Sequence, residues 1–136
     1  MKDSVVRVLD EKEELIVDLI EELGFPRIDA ILIAYLYGAG EATSRDMEIG
    51  GNLRQPEVSR SLRVMQQNGW VGKKHRIKTK KGRPRTVYSL SCSLDEIISD
   101  FEQSLRRESE AKWVSIQKLR ELSSSEPQTY KQSGSA

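Results

Sequence analysis

The sequence has one cysteine, Cys92, and one histidine, His75, in 136 residues. A single thiol excludes an internal disulfide framework and any multi-cysteine zinc site. A single imidazole excludes a metal centre built from several histidines, and His75 stands among lysines rather than metal ligands. It also leaves no triad, and no paired acid and base or phosphate-cradling loop can be assembled. Neither an enzyme nor a cofactor is expected. Aromatic residues are scarce, at 6%. No apolar run approaches the roughly 18 residues of a membrane span. Residues 1–7 lack the apolar core of a secretion signal, so a cytoplasmic protein is expected. Excess charge is missing too: 22 Lys and Arg face 21 Asp and Glu, a formal net of +1. Taken whole, that balance speaks against a polyanionic partner.

Divided by segment, the charge says something else. Residues 1–53 carry 5 basic and 12 acidic side chains, a net of −7. Residues 54–94 carry 11 basic side chains and one acid, Glu57, a net of +10. Residues 95–136 carry 6 basic and 8 acidic side chains, a net of −2. A solvated face normally mixes both signs, and the middle block does not. Such a local footprint points to an anionic polymer or surface.

Apolar spacing and punctuation predict the elements. Asp10 and Glu13 form an acidic capping box, and Leu15, Ile16, Leu19, Ile20 and Leu23 share one face of a helix that Gly24 ends. Its acids, in residues 10–22, read as solvated surface. Residues 5–9 are an ordered arm or an extra turn. A second helix starts at Pro26 and carries Ile28, Ile31, Leu32, Tyr35 and Leu36. It is apolar nearly all round, which makes it the central helix, and Gly38 and Gly40 close it. Thr43 caps a short helix with Asp46 at the third position and Met47 inward. Gly50-Gly51-Asn52 is a turn, with Leu53 inward behind it. Pro56 opens another helix, capped by Gln55, with Val58, Leu62 and Met65 as its inner face and Asn68-Gly69 at its end.

Trp70 reads as core at the base of a hairpin whose returning strand is residues 85–90, with a basic tip between the strands. Ser93 and Glu96 cap a final helix to Leu122, about 28 residues and roughly 40 Å. The polar tail beyond it reads as disordered. Cys92 reads as a buried, inert thiol rather than a redox sensor. The fold class is mainly α with a small β-hairpin.

Residues 43–69 have the layout of a helix-turn-helix. With Val58, Leu62 and Met65 inward, Arg60, Arg63 and Gln67 lie opposite, and Gln55, Glu57 and Ser59 flank the N-terminal end. Arg pairs with guanine, Gln with adenine, and Glu accepts from cytosine, while Ser59 suits a phosphate. The hairpin adds Lys73, Lys74, Arg76, Lys78, Lys80, Lys81, Arg83 and Arg85 without an intervening acid. In Gly82-Arg83-Pro84-Arg85, the glycine permits a tight turn and the proline presents Arg83 outward, suited to a minor groove. Thr43, Ser44, Arg54, Lys73 and Lys74 are candidate DNA-backbone contacts.

Phe25-Pro26-Arg27-Ile28-Asp29-Ala30, Ala42-Thr43-Ser44-Arg45-Asp46-Met47, Gln55-Pro56-Glu57-Val58-Ser59-Arg60-Ser61-Leu62, Asn68-Gly69-Trp70-Val71 and Gly82-Arg83-Pro84-Arg85-Thr86-Val87-Tyr88-Ser89-Leu90 together carry a resemblance. Residues 10–92 resemble the winged helix-turn-helix of MarR- and TrmB-like transcriptional regulators, archaeal ones above all. The resemblance implies a dimeric repressor or activator, archaeal or bacterial, with helix 56–68 in the major groove and the wing on the flanking backbone or minor groove. The glycine-rich turn at residues 48–52 departs from the family's more regular helix end and leaves the start of the recognition helix open.

The final helix is too long to bury its whole stripe on so small a domain. Leu15, Leu19, Ile98, Phe101, Leu105, Trp113 and Ile116 are the candidate dimer interface, with residues 94–105 also able to pack on residues 15–23 of their own chain. Glu108 and Lys112 interrupt the stripe, so it is no strict coiled coil. The expected organisation is a winged helix-turn-helix with its N-terminal helix (1–92), a dimerisation helix (93–122) and a tail (123–136). The expected partners are double-stranded DNA and a second copy, with room for a small-molecule effector that no residue identifies. The competing reading is a winged-helix protein-interaction or RNA-binding module whose basic hairpin meets an acidic partner.

Overall fold

A computed structural model describes residues 7–78 and 82–125. Its elements run α1 (Glu11–Glu22), α2 (Arg27–Ala39), β1 (Ala42–Thr43), α3 (Ser44–Gly50), α4 (Gln55–Gln67), β2 (Val71–Ile77), β3 (Arg85–Leu90) and α5 (Leu94–Ser123). The expected mainly α fold with a winged helix-turn-helix and a long last helix is what the chain adopts. It divides into two compact units, residues 1–97 and 98–136.

In the first unit, α2 is the centre. Ala30, Ile31, Leu32, Ile33, Ala34, Tyr35 and Leu36 are all buried, so neighbours cover every side of it. α1 packs along it, as do α4 and β3. The expected capping box of α1 is present: the Glu13 N–H donates to Asp10 Oδ1 at 2.8 Å, and the Asp10 N–H to Glu13 Oε1 at 3.0 Å. The buried face differs from the expected one. Glu13, Val17 and Ile20 face inward, whereas Leu15, Leu19 and Leu23 are 57%, 51% and 42% exposed. Residues 13, 17 and 20 share one face, and Leu15 lies two residues, about 200°, away from both Glu13 and Val17.

Glu13 is therefore not solvated surface, as the acidic run had suggested. Arg7 Nη2 donates to both its carboxylate oxygens, at 3.1 and 2.9 Å, and the guanidinium lies over the Tyr35 ring. The same carboxylate occupies the space that a Cβ on residue 38 would need. Gly38 thus lies inside α2 rather than closing it. The helix ends at Gly40, where φ is +86°.

The sheet has three antiparallel strands in the order β1-β3-β2, one more than the expected hairpin. β1 pairs Ala42 with Tyr88 and Thr43 with Val87. Two residues carry no alternation to read. Thr43 also caps α3, accepting the Asp46 N–H at 3.1 Å, while Asp46 Oδ2 accepts the Thr43 N–H at 3.0 Å. Asn52 turns the chain with φ +56°. α4 then starts at Gln55, so its N-cap is Arg54 and not Gln55. The reason is Glu57, whose Oε1 accepts the Arg54 N–H at 2.8 Å. Val58, Leu62, Met65 and Trp70 are buried as expected.

Ser93 and Glu96 cap α5 as the sequence implies: the Glu96 N–H donates to Ser93 Oγ at 3.1 Å and the Ser93 N–H to Glu96 Oε1 at 2.9 Å. In the second unit Phe101 is only 2% exposed. It is the most buried of the candidate interface residues. Beyond it α5 leaves Trp113, Val114, Ile116, Leu119 and Leu122 between 40% and 69% exposed. The expected tail past residue 125, the first two residues of the arm and the wing-tip Lys80 and Lys81 lie outside the described residues.

Gly38→Ala tests the α1–α2 contact. On an open helix the change is stabilising by about 1 kcal/mol. Here it displaces Glu13 from Arg7 and Asp10, and a net loss of about 1–3 kcal/mol is expected from urea unfolding.

Candidate nucleic-acid interface

The surface of α4 sorts cleanly. Val58, Ser61, Leu62 and Met65 are buried, and Gln55, Arg60, Arg63, Gln66 and Gln67 are exposed. Arg60, Arg63 and Gln67 occupy the outward face expected of them. Gln66 belongs with them, three residues after Arg63, and its signal was that spacing. Glu57 and Ser59 are half-buried. Gln55 Nε2 donates to Ser59 Oγ at 3.2 Å, and Glu57 commits one oxygen to the helix cap.

A hydrogen bond sets how α4 sits on α2. Ser61 Oγ, on the buried side next to Arg60, donates to Asp29 Oδ1 at 2.6 Å. Asp29 lies in the first turn of α2. Burial pushes its carboxyl above the usual range, and the hydrogen bond from Ser61 opposes part of that rise. Beside the pair is a cleft of about 250 Å³, with Pro26, Ile28 and Val64 among its apolar lining and Glu57 and Arg60 of α4 also lining it. Asp29 stands in the Phe25–Ala30 segment, but nothing in its spacing links it to residue 61.

The wing follows α4 directly and packs against it through β2. β2 and β3 pair from Val71 opposite Leu90 to Ile77 opposite Arg85. Lys73, Lys74, Arg76, Lys78, Arg83 and Arg85 are exposed. Gly82 has φ +85°, the left-handed conformation that the tight turn was expected to need. Arg54 is exposed and Ser44 half-buried. Thr43 is 6% exposed and its hydroxyl caps α3, so it is a structural cap and not a surface contact for a DNA backbone.

Glu41, just before β1, is an acid that the sequence reading passed over. Its carboxylate meets Lys74 Nζ at 2.8 Å and His75 Nε2 at 3.5 Å. The hydrogen bond from Lys74 is the main cause holding this carboxyl below its ordinary range, with His75 adding to it. Among the described residues no three His, Cys, Asp or Glu side chains are placed to hold a metal ion. Cys92 is half-buried rather than buried, with Sγ 4.0 Å from the Gly69 carbonyl oxygen. No helix of the described residues is long and apolar enough to cross a membrane.

No family model matches the chain, and no curated protein matches it. Solved structures do. A possible transcriptional regulator from Methanosarcina mazei superposes with a TM-score of 0.58 at 12% identity, over 74% of this chain and 85% of that one. TrmBL2, described as an archaeal chromatin protein with a novel mode of DNA binding, gives 0.55 at 20% identity over 87% of this chain and 45% of that one. A further transcriptional regulator gives 0.50 at 19% identity, over 88% and 79%. At these identities the likeness shows the fold alone, a winged helix-turn-helix shared with these three structures.

The Asp29–Ser61 contact makes a pH prediction. Ser61→Ala leaves the carboxylate without its hydroxyl and should cost about 1–2 kcal/mol. Asp29→Asn keeps an acceptor and removes the desolvated charge. A carboxyl raised on folding stabilises the fold only while protonated, and that contribution is lost as pH rises through the folded value. Asp29→Asn should therefore melt higher than the parent at neutral pH. The gap should close as pH falls below the ordinary carboxylate range, about 4.

Proposed function

We propose that the chain is a sequence-specific double-stranded DNA-binding transcriptional regulator that acts as a homodimer. The observation that carries this reading is the exposed Arg and Gln face of α4, which continues into an acid-poor wing on a winged-helix fold. A helix with this face fits a major groove. Arg60 and Arg63 would pair with guanines, Gln55 and Gln67 with adenines, and the free oxygen of Glu57 with a cytosine amine. Ser59, Ser44, Arg54, Lys73 and Lys74 suit phosphates, and Lys78, Lys80, Lys81, Arg83 and Arg85 suit the flanking backbone or minor groove. TrmBL2 is itself described as binding DNA, which supports the reading by likeness of fold.

In this proposal residues 1–92 hold DNA and residues 93–122 pair two copies. Leu15, Leu19, Ile98, Trp113 and Ile116, each at least 40% exposed, are the apolar surface for that pairing, with the half-buried Leu105. A two-fold pair would set two recognition helices about one DNA turn apart.

Binding to a duplex, followed by fluorescence anisotropy at several salt concentrations, should weaken with a log–log slope of about −0.9 per phosphate contacted. Binding insensitive to salt would overturn the reading. Arg60→Ala should cost about 1–3 kcal/mol on a duplex selected from a random pool and much less on random sequence. Equal losses on both would remove Arg60 from base reading.

The pairing surface is tested separately. Trp113→Glu places a charge on the apolar stripe and should convert a dimer to monomer in sedimentation equilibrium. A mass unchanged from the parent's dimer would move the interface elsewhere.

A further inference from the structure

Lys74 and His75 are consecutive residues of β2, yet both reach the carboxylate of Glu41, Lys74 at Oε1 and His75 at Oε2. In a regular strand neighbouring side chains point to opposite faces, and one carboxylate could not meet both. The register explains how it does. Lys73 pairs with Tyr88 and His75 with Val87, so Lys74 is an extra residue with no partner position on β3. Such a bulge re-aims a side chain out of the strand's alternation. Glu41 arrives from the far edge of the sheet. It precedes Ala42, which pairs with Tyr88 on one side while Lys73 pairs with it on the other. The carboxylate therefore spans the central strand to reach two adjacent donors. Two adjacent nitrogen donors gripping two oxygens of one anion is also how a phosphate diester is held.

We propose that Lys74 and His75 form a seat for a DNA backbone phosphate, and that Glu41 fills this seat in the free protein and so restrains binding to DNA in general. The proposal rests on the DNA-binding reading above. All three side chains are open to solvent, at 43% for Glu41, 53% for Lys74 and 44% for His75. An exposed ion pair is weak enough for a phosphate to displace it. The exchange leaves a signature. A free lysine releases about one counterion's worth of salt dependence when it meets a phosphate. A lysine that must first leave Glu41 releases less, because the vacated carboxylate takes up a cation. Glu41 thus lowers both the affinity and the salt slope, without touching any base-reading residue.

Four proteins test this: the parent, Glu41→Gln, Glu41→Gln with Lys74→Ala, and Glu22→Gln, an exposed position on α1 with the same change in net charge as Glu41→Gln. Binding to a short random duplex is measured across salt concentrations, with a thermal melt of each protein. Glu41→Gln should bind about three- to tenfold tighter at low salt, with a slope steeper by about 0.9. Glu22→Gln should keep the parent's slope. Adding Lys74→Ala to Glu41→Gln should abolish the gain. A slope for Glu41→Gln equal to the parent's, or a gain that survives Lys74→Ala, overturns the seat while leaving DNA binding intact. A parent without salt dependence overturns the DNA reading itself. His75 is the only histidine, so its ring resonances are a direct probe in the parent protein. They should move on adding duplex, and ring signals that stay fixed at saturating duplex would overturn the proposal.

Discussion

The first unit depends on a helix that has no face to give to water. With seven consecutive residues of α2 buried, α1, α4 and the sheet must each cover part of it. Full burial of a large aliphatic side chain is worth about 1.5–3 kcal/mol, so Leu32, Ile33 and Leu36 alone supply a driving force comparable to the net stability of a small domain. Burial by itself is not directional. Direction comes from polar contacts near the two ends of α2. Near its C-terminal end the Glu13 carboxylate fits over Gly38 and fixes α1. Near its N-terminal end Asp29 takes the Ser61 hydroxyl and fixes the roll of α4. Arg60 is the next residue along, so its aim is a consequence of how α2 is covered.

Charge placement follows the same division of labour. The half-buried Arg7 meets the buried Glu13 where α1 lies against α2, and removing Arg7 would strand the Glu13 carboxylate. The described cations of residues 54–94 are exposed, and Glu57, the segment's one acid, is drawn into capping α4. The cap has two effects. It satisfies a backbone donor at the helix start, and it ties down a negative charge that would otherwise move freely beside Arg60.

Most elements were legible because they have a period or a boundary mark. The interior of α2, the Val58–Leu62–Met65 face, the Ser93–Glu96 cap and the left-handed turn at Gly82 follow from local spacing and local backbone chemistry. The features that escaped depend on residues far apart in the chain. β1 exists only because β3 offers it a partner. Leu15 and Leu19 match a helical stripe, but Arg7 draws Glu13 into the interface instead and rotates them outward. Gly38 looks like a stop signal until Glu13 is seen above it. Asp29 with Ser61, and Glu41 with Lys74, are separated by about thirty residues each, and neither pair has a pattern that local reasoning can detect. For the candidate site, the exposed Arg and Gln side chains could be read from α4 alone, whereas their long-range neighbours Asp29 and Glu41 could not.

The nearly zero net charge acquires a physical meaning from this arrangement. A chain with −7, +10 and −2 in successive segments has little long-range pull on a polyanion, because at physiological salt fields decay over about 8 Å. In the proposed reading, attraction would then act at close range, through the few cations able to meet a phosphate directly. In that regime one well-placed carboxylate counts for more than several distant ones. The acids of α1 change the total but not the local field at the wing, while Glu41 lies 2.8 Å from a wing lysine. Net charge is therefore a poor guide to this surface. The bulge at Lys74 is the better one, because it brings Lys74 and His75 to one acid.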